Sequence, residues 1–264
     1  MHKYFIVLIA LILTGCVSNP YRNFYTDHTG GMGPLNNPIF VGPQKDPTLF
    51  RGKDTLEDWK NMTRNGYILI GQSDFNISSA NDSDAIIHAR NVGADIVIVY
   101  VNYTDTQSGS MPLTLPDNRS SSSFGSATAF GPGGSATAFG SSYTTTYGTR
   151  TTYIPYNIRR HDYHASFWAM AKPSAFGAKL DELSDAQRQQ IQSNKGAAIL
   201  IVRNGSPAFQ NDILDGDIIR NINGVDVTNA LHCIDIITQN RGKIISLSIF
   251  RNGETIQKEV QLRE

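Results

Sequence analysis

Two Asn-Gly dipeptides, Asn223-Gly224 and Asn252-Gly253, punctuate the last third of the chain. Asn-Gly fits the two consecutive positive-φ positions of a type I′ turn, whose twist matches that of paired strands. Their apolar neighbours, 218–222 and 244–250, therefore read as strands entering and leaving tight hairpins, with 199–202 as a third. Between them, Asp215-Gly216-Asp217 reads as a turn: Gly216 supplies positive φ, and the two carboxylates can accept local backbone N–H bonds. Residues 229–240 carry Leu231, Ile234 and Ile237 or Thr238 at helical spacing. Strands this short, joined this tightly, bury a core by curling into a small barrel closed by helices.

The middle of the chain obeys other rules. Residues 54–64 can form a helix with Leu56, Trp59 and Met62 on one face, and 67–71 is a short apolar strand bounded by glycine. Asp82 or Ser83 can cap a second helix with Ala85, Ile86, Ala89 and Val92 inward and Gly93 at its C′ position. A buried strand follows at 96–101. Strand, helix and strand at this spacing predict a βαβ unit with parallel strands and a right-handed crossover. Residues 103–157 are rich in Ser, Thr, Gly and Tyr, and Gly125–Gly131 recurs as Gly134–Gly140. Two copies are too few for a solenoid, so they read as a long hairpin arm with its flexible tip at about 118–142. Residues 161–170 then alternate, with Tyr163, Ala165, Phe167 and Ala169 on one face. Together, 54–171 form a small mixed α/β domain, and the chain as a whole is of the α/β (α+β) class.

The first residues point to an envelope. His2 and Lys3 precede an unbroken apolar run over 4–13, which suits a signal peptide and falls short of the about 20 residues that span a bilayer. Leu13-Thr14-Gly15-Cys16 resembles the bacterial lipobox. That resemblance implies removal of residues 1–15, diacylglycerol and palmitate-type acyl chains on Cys16, and a membrane as the first partner; Val17, rather than Asp, implies the outer membrane, facing the periplasm. Gly30-Gly31, Gly33-Pro34, Asn37-Pro38, Gly42-Pro43 and Asp46-Pro47 break every periodicity in 16–53, which reads as a tether, with a part such as Ile39-Phe40-Val41 able to pack onto the next domain.

The C-terminal pattern has a recognisable order: Gly205-Ser206-Pro207-Ala208, then Leu214-Asp215-Gly216-Asp217-Ile218-Ile219, Ile222-Asn223-Gly224 and Arg251-Asn252-Gly253. Over 172–264 the chain resembles a PDZ domain of the kind found in HtrA-family serine proteases. PDZ domains bind by strand addition, with a guest carboxylate in a loop of backbone amides and its side chain in an apolar pocket. The resemblance places Ala175-Phe176-Gly177-Ala178 at the carboxylate loop. It implies one groove wall of Phe176, Ala178 and Leu180 and a second of Leu231, Ile234 and Thr238. Pro173 before the loop and the lack of Lys or Arg within it depart from the family pattern, although Lys172 and Lys179 flank it.

Catalysis is not expected. No Gly-x-Ser-Gly-Gly occurs, and 54–171 is too short for the two-barrel domain of an HtrA-like protease. His161 and His164, three apart on a strand, face opposite ways and cannot easily share a metal. Cys233 sits on an apolar helix face, as a core residue would. Gly131-Pro132-Gly133-Gly134 lacks the Lys of a phosphate loop. Asp74, Asp84, His88 and Asp95 are the scattered groups on which an enzyme reading of 54–171 would rest. Tyr143, Tyr147, Tyr153 and Tyr156 satisfy β-propensity, or else form a sticky surface for a partner. Equal numbers of basic and acidic residues, 23 each, give no field for nucleic acid. No cofactor is expected. The sequence therefore predicts a lipid-anchored periplasmic adaptor or sensor that captures C-termini or extended segments of envelope proteins. Its rivals are a structural lipoprotein with a closed groove and a regulator of an envelope protease.

Overall fold

A computed structural model describes residues 18–264, so the lipobox and Cys16 lie outside the described residues. The fold begins at α1 (Pro20–Asn23), which Asn19 caps through its side chain. Strands β1 (Tyr25–Asp27) and β2 (Thr48–Arg51) follow, then α2 (Thr55–Arg64), β3 (Tyr67–Ile77), α3 (Asp82–Val92) and β4 (Ile96–Pro116). Asp54 caps α2, accepting from the Leu56 and Glu57 amides at 2.9 and 3.1 Å. Gly93 ends α3 in the left-handed region at φ 75°, as its position predicts. Strands β5 (Arg119–Gly131) and β6 (Gly134–Thr146) form the arm's tip, and β7 (Thr149–Met170) returns to the sheet.

The sheet order is β1-β3-β7-β4-β2. This corrects two expectations. Residues 18–53 are not merely a tether, because β1 pairs antiparallel with β3 (Tyr25 opposite Ser73) and β2 pairs parallel with β4 (Thr48 opposite Ile96). Tyr21 and Phe40 from the same segment are buried in the core. Nor is the βαβ unit expected of β3, α3 and β4 confirmed, since β7 lies between β3 and β4. The physical reason is the arm: once the chain has left β4 through a hairpin, its return strand pairs beside β4 and takes the central slot.

Alternation along β7 divides the sheet's two faces. Tyr163, Ala165, Phe167 and Ala169 join Ile70, Val97 and Val99 beneath the buried Ala85 and Ala89 of α3. Trp168 faces the other way with Ile98 and Tyr100, covered by Trp59 and Met62 of α2. One helix on each face gives a three-layer α/β arrangement.

The second core begins at β8 (Ala178–Asp181). It continues through α4 (Asp185–Ile191), β9 (Ala197–Val202), α5 (Pro207–Gln210), β10 (Ile218–Ile222), β11 (Val225–Asp226), α6 (Ala230–Gln239), β12 (Ile244–Arg251) and β13 (Glu254–Gln261). The sheet runs β13-β12-β10-β9-β8, with β11 on β10. No closed barrel is found: β13 and β8 are open edges. Ile245, Leu247 and Ile249 of β12 alternate into this core, and both Asn-Gly dipeptides take the positive-φ pairs expected of them. Asp217 is buried and doubly held by Arg251, with N–O distances of 2.6 and 2.7 Å.

Residues 103–161 form a compact unit of their own. It is an antiparallel ribbon, with Ser108 bonded to Asn157 and Thr114 to Thr151, and with Gly131 opposite Gly134 at the tip.

Candidate functional site

The segment before β8 is built from its carbonyls. Ala175 O accepts from Arg263 N at 3.0 Å, Phe176 O from Ala208 N at 3.0 Å and Gly177 O from Arg203 N at 2.8 Å. Three separate parts of the fold thus hold three consecutive peptide units. The amides of 175–177 donate to no group among the described residues. Gly177 has φ 84°, and a Cβ there would lie 2.1 Å from the Ser206 Cβ. Ser206 is buried; its hydroxyl donates to Gly177 O at 3.1 Å and accepts from Phe209 N at 3.2 Å. The Gly-Ser-Pro-Ala stretch is therefore the wall against which this turn is pressed, and only glycine fits it. A turn with fixed carbonyls and uncommitted amides is a cradle for an anion.

Ala175 and Phe176 are 4% and 3% exposed, with their side chains in the domain core. Phe176 thus shares with Ala178 and Leu180 the core that lies behind β8. Ala178 and Leu180 are half-buried and pack on the same core from β8. Among the described residues strand β8 pairs only with β9, and none of their strands lies on its other edge. Because Gly177 is turned toward β9, ladder alternation turns the amide and carbonyl of Ala178 toward that open edge.

Helix α6 supplies the second wall. Asn229 Oδ1 caps it at His232 N, 2.8 Å, and Glu182 Oε1 accepts from Ala230 N at 3.1 Å, fixing the helix start beside the end of β8. Ala230, Cys233 and Ile237 form its buried stripe. Leu231 is 71% exposed and Ile234 44%, and Thr238, also exposed, donates its hydroxyl to Ile234 O at 2.8 Å. This settles the register left open between Ile237 and Thr238: Ile237 is core. Burial pushes the Cys233 thiol up to about 12, leaving no thiolate for chemistry.

Two arginines that no local pattern marks stand at this loop. Arg263 Nη2 donates to Gly205 O at 2.6 Å, beside its backbone bond to Ala175. Arg203 donates from Nη1 to Lys172 O at 3.0 Å and from Nη2 to Ala171 O at 2.9 Å. Desolvation lowers the Arg203 pKa, helped by the Arg263 charge. The cationic field that the loop sequence lacks thus arrives from elsewhere in the chain. Arg203 also faces Gly66, where a Cβ would lie 2.0 Å from its guanidinium. Asn204 N donates to Arg64 O at 2.9 Å, and Arg64 pairs with Asp215 at 2.8 Å. The turn after α2 is therefore stitched to the turn after β9.

The groups that an enzyme reading would need sit in separate surroundings. His164 meets Asp74 at 2.6 Å in a solvent-exposed pair. His88 is buried between Tyr25 and Phe167, and Asp95 accepts from Met170 N at 2.8 Å. Asp84 lies in the first turn of α3. Among the described residues no three of His, Cys, Asp or Glu form a metal-binding group, and no helix is long and apolar enough to cross a membrane.

A model of the PDZ domain family matches residues 175–262. Among solved structures, an HtrA-type protease, AlgW, with a decapeptide is 15% identical, at a TM-score of 0.30, over 37% of this chain and 36% of that one. The HtrA3 PDZ domain bound to a phage-derived ligand (FGRWV) is 17% identical, at a TM-score of 0.31, over 34% of this chain and 85% of that one. A photosystem II D1 C-terminal processing protease is 14% identical, at a TM-score of 0.28, over 34% of this chain and 23% of that one. The chain thus spans little more than a third of the AlgW protease's length. Residues 175–262 are a PDZ domain, a binding module rather than a catalytic one.

Proposed function

We propose that the protein is a lipid-anchored periplasmic adaptor or sensor that captures the C-termini of other envelope proteins. The observation that carries the reading is the open edge of β8, flanked by the uncommitted amides of 175–177 and by exposed Leu231 and Ile234. A guest strand adds to that edge. Its carboxylate enters the amide cradle, and its last and third-last side chains lie toward α6. A structural protein with a closed groove would have this edge paired. Anchorage through Cys16 at the outer membrane follows from the lipobox resemblance and the charged, apolar start of the chain.

The test uses C-terminal peptides selected from a random displayed library and measured by fluorescence anisotropy against the protein. Leu231→Asp and Ile234→Asp are expected to weaken binding at least tenfold without changing the thermal midpoint, since both side chains are exposed. Amidating the peptide's C-terminus should weaken binding to a similar degree. Peptides that bind equally well after amidation would remove the cradle from the mechanism. For the anchor, Cys16→Ser should abolish labelling by fatty acid and release the protein from the membrane fraction.

A further inference from the structure

We propose that the captured C-terminus is read by both domains, its next-to-last side chain entering a cleft formed with the α/β domain that selects a large apolar group, best an aromatic ring. This rests on the peptide-capture reading above and adds the chemistry of the guest.

The argument follows from strand alternation. A guest lying antiparallel on β8 with its carboxylate at Gly177 sets its last residue beside Ala178 and its next-to-last beside Lys179. Directly opposed residues point their side chains to the same face. Ala178 and Leu180 face the PDZ core, so Lys179 faces away from it, as does its partner Ile201. That outer face is not open solvent. It borders a cavity of about 540 Å³ whose other wall includes Trp59, Ile68 and Leu69 of the α/β domain. Ser174, Gly177 and Ala178 line the same cavity, so the cleft is continuous with the carboxylate cradle.

The walls name the occupant. Apolar side chains dominate, and Trp59 already accepts the Lys179 ammonium over its ring at 5.2 Å. The charged lining residues are Lys172, Lys179 and Arg203, all cations, and no carboxylate lines the cleft. A guest Lys or Arg there would meet like charge with no partner. A guest carboxylate finds Arg203 committed to two carbonyls and the Lys179 ammonium over the indole, so that of the three lining cations only Lys172 is left to meet it. A ring, by contrast, fills the apolar volume beside Trp59 and Ile201.

The experiment takes one peptide selected from the displayed library and varies only its next-to-last residue through Trp, Phe, Ala, Asp and Lys. With the full-length protein, the Trp or Phe peptide should bind at least tenfold tighter than the Ala peptide, and the Lys peptide weakest. In Ile68→Asp, a change at a residue 40% exposed, the aromatic preference should fall below threefold while the Ala peptide keeps its affinity. Binding that ignores this position, or that favours Asp, overturns the two-domain readout and leaves peptide capture standing. If no free C-terminus binds, both readings fall together.

Discussion

The arm of residues 103–161 and the sheet of the PDZ domain are both antiparallel, yet they hold together for opposite reasons. In the arm, Phe124, Ser126, Thr128 and Phe130 stand opposite Ser141, Phe139, Thr137 and Ser135, and all of these side chains share one face. The other face is Gly and Ala throughout the repeat. Phe124, Phe130 and Phe139 are 84% or more exposed. In β12, by contrast, Ile245, Leu247 and Ile249 alternate into a core that excludes water. The same period of two yields a register in one case and a folded domain in the other. Pairing alone specifies which residue lies opposite which; burial supplies the free energy, and an isolated two-stranded ribbon has little of it.

Four measurements sharpen or break this contrast. Arg251→Ala leaves the Asp217 carboxylate, 1% exposed, without its partner, so the PDZ domain should lose about 3–5 kcal/mol in urea denaturation. A loss under 1 kcal/mol would mean that its core is far less dry than the burial implies. The α/β core carries its own vulnerability in His88, whose ring nitrogens have no hydrogen-bond partner. Burial, then the charge of Arg22, lowers its pKa from 6.5 to about 4. The unfolded chain therefore takes up a proton near pH 6.5 while the folded chain does not, so stability falls as pH drops from 6.5 to about 4. The loss should be on the order of 3 kcal/mol. His88→Leu should flatten that part of the pH profile; an unchanged slope would assign it to other groups.

Gly177→Ala comes next in size. Positive φ and the contact with Ser206 should remove about 1–3 kcal/mol of stability and at least tenfold in peptide affinity. The smallest effect belongs to the arm. Phe130→Ala should move stability by less than about 0.5 kcal/mol, and amides of 119–146 should exchange hydrogen faster than those of β12. Slow exchange in the arm would show that something covers its aromatic face.

What could be read from the chain divides along the same line. The PDZ strands and the turn at Gly216 were legible because each is a local signal: a period, a dipeptide, a positive φ; Gly177 was placed by the family resemblance. The face of β7 was legible too, in the alternation of Tyr163, Ala165, Phe167 and Ala169. Strands β1 and β2 were not, because they are three and four residues long and lie among Gly-Pro breaks. Only their partners β3 and β4 define them. The central position of β7 was hidden for a related reason: its neighbours are separated from it by the arm. Arg203 and Arg263 reach the loop through tertiary contacts, which a loop sequence without cations gives no means of anticipating. Phe176 was placed by family analogy on the groove, and its ring is buried in the domain core.

If the proposed capture holds, the three carbonyls of 175–177, each tied to a different part of the fold, bear on how quickly a guest is taken up. The turn is already rigid before anything arrives, so its conformational entropy is lost during folding rather than during the encounter. On that proposal, a chain end diffusing to β8 would meet a finished socket, and the rate of docking would be left to orientation and charge.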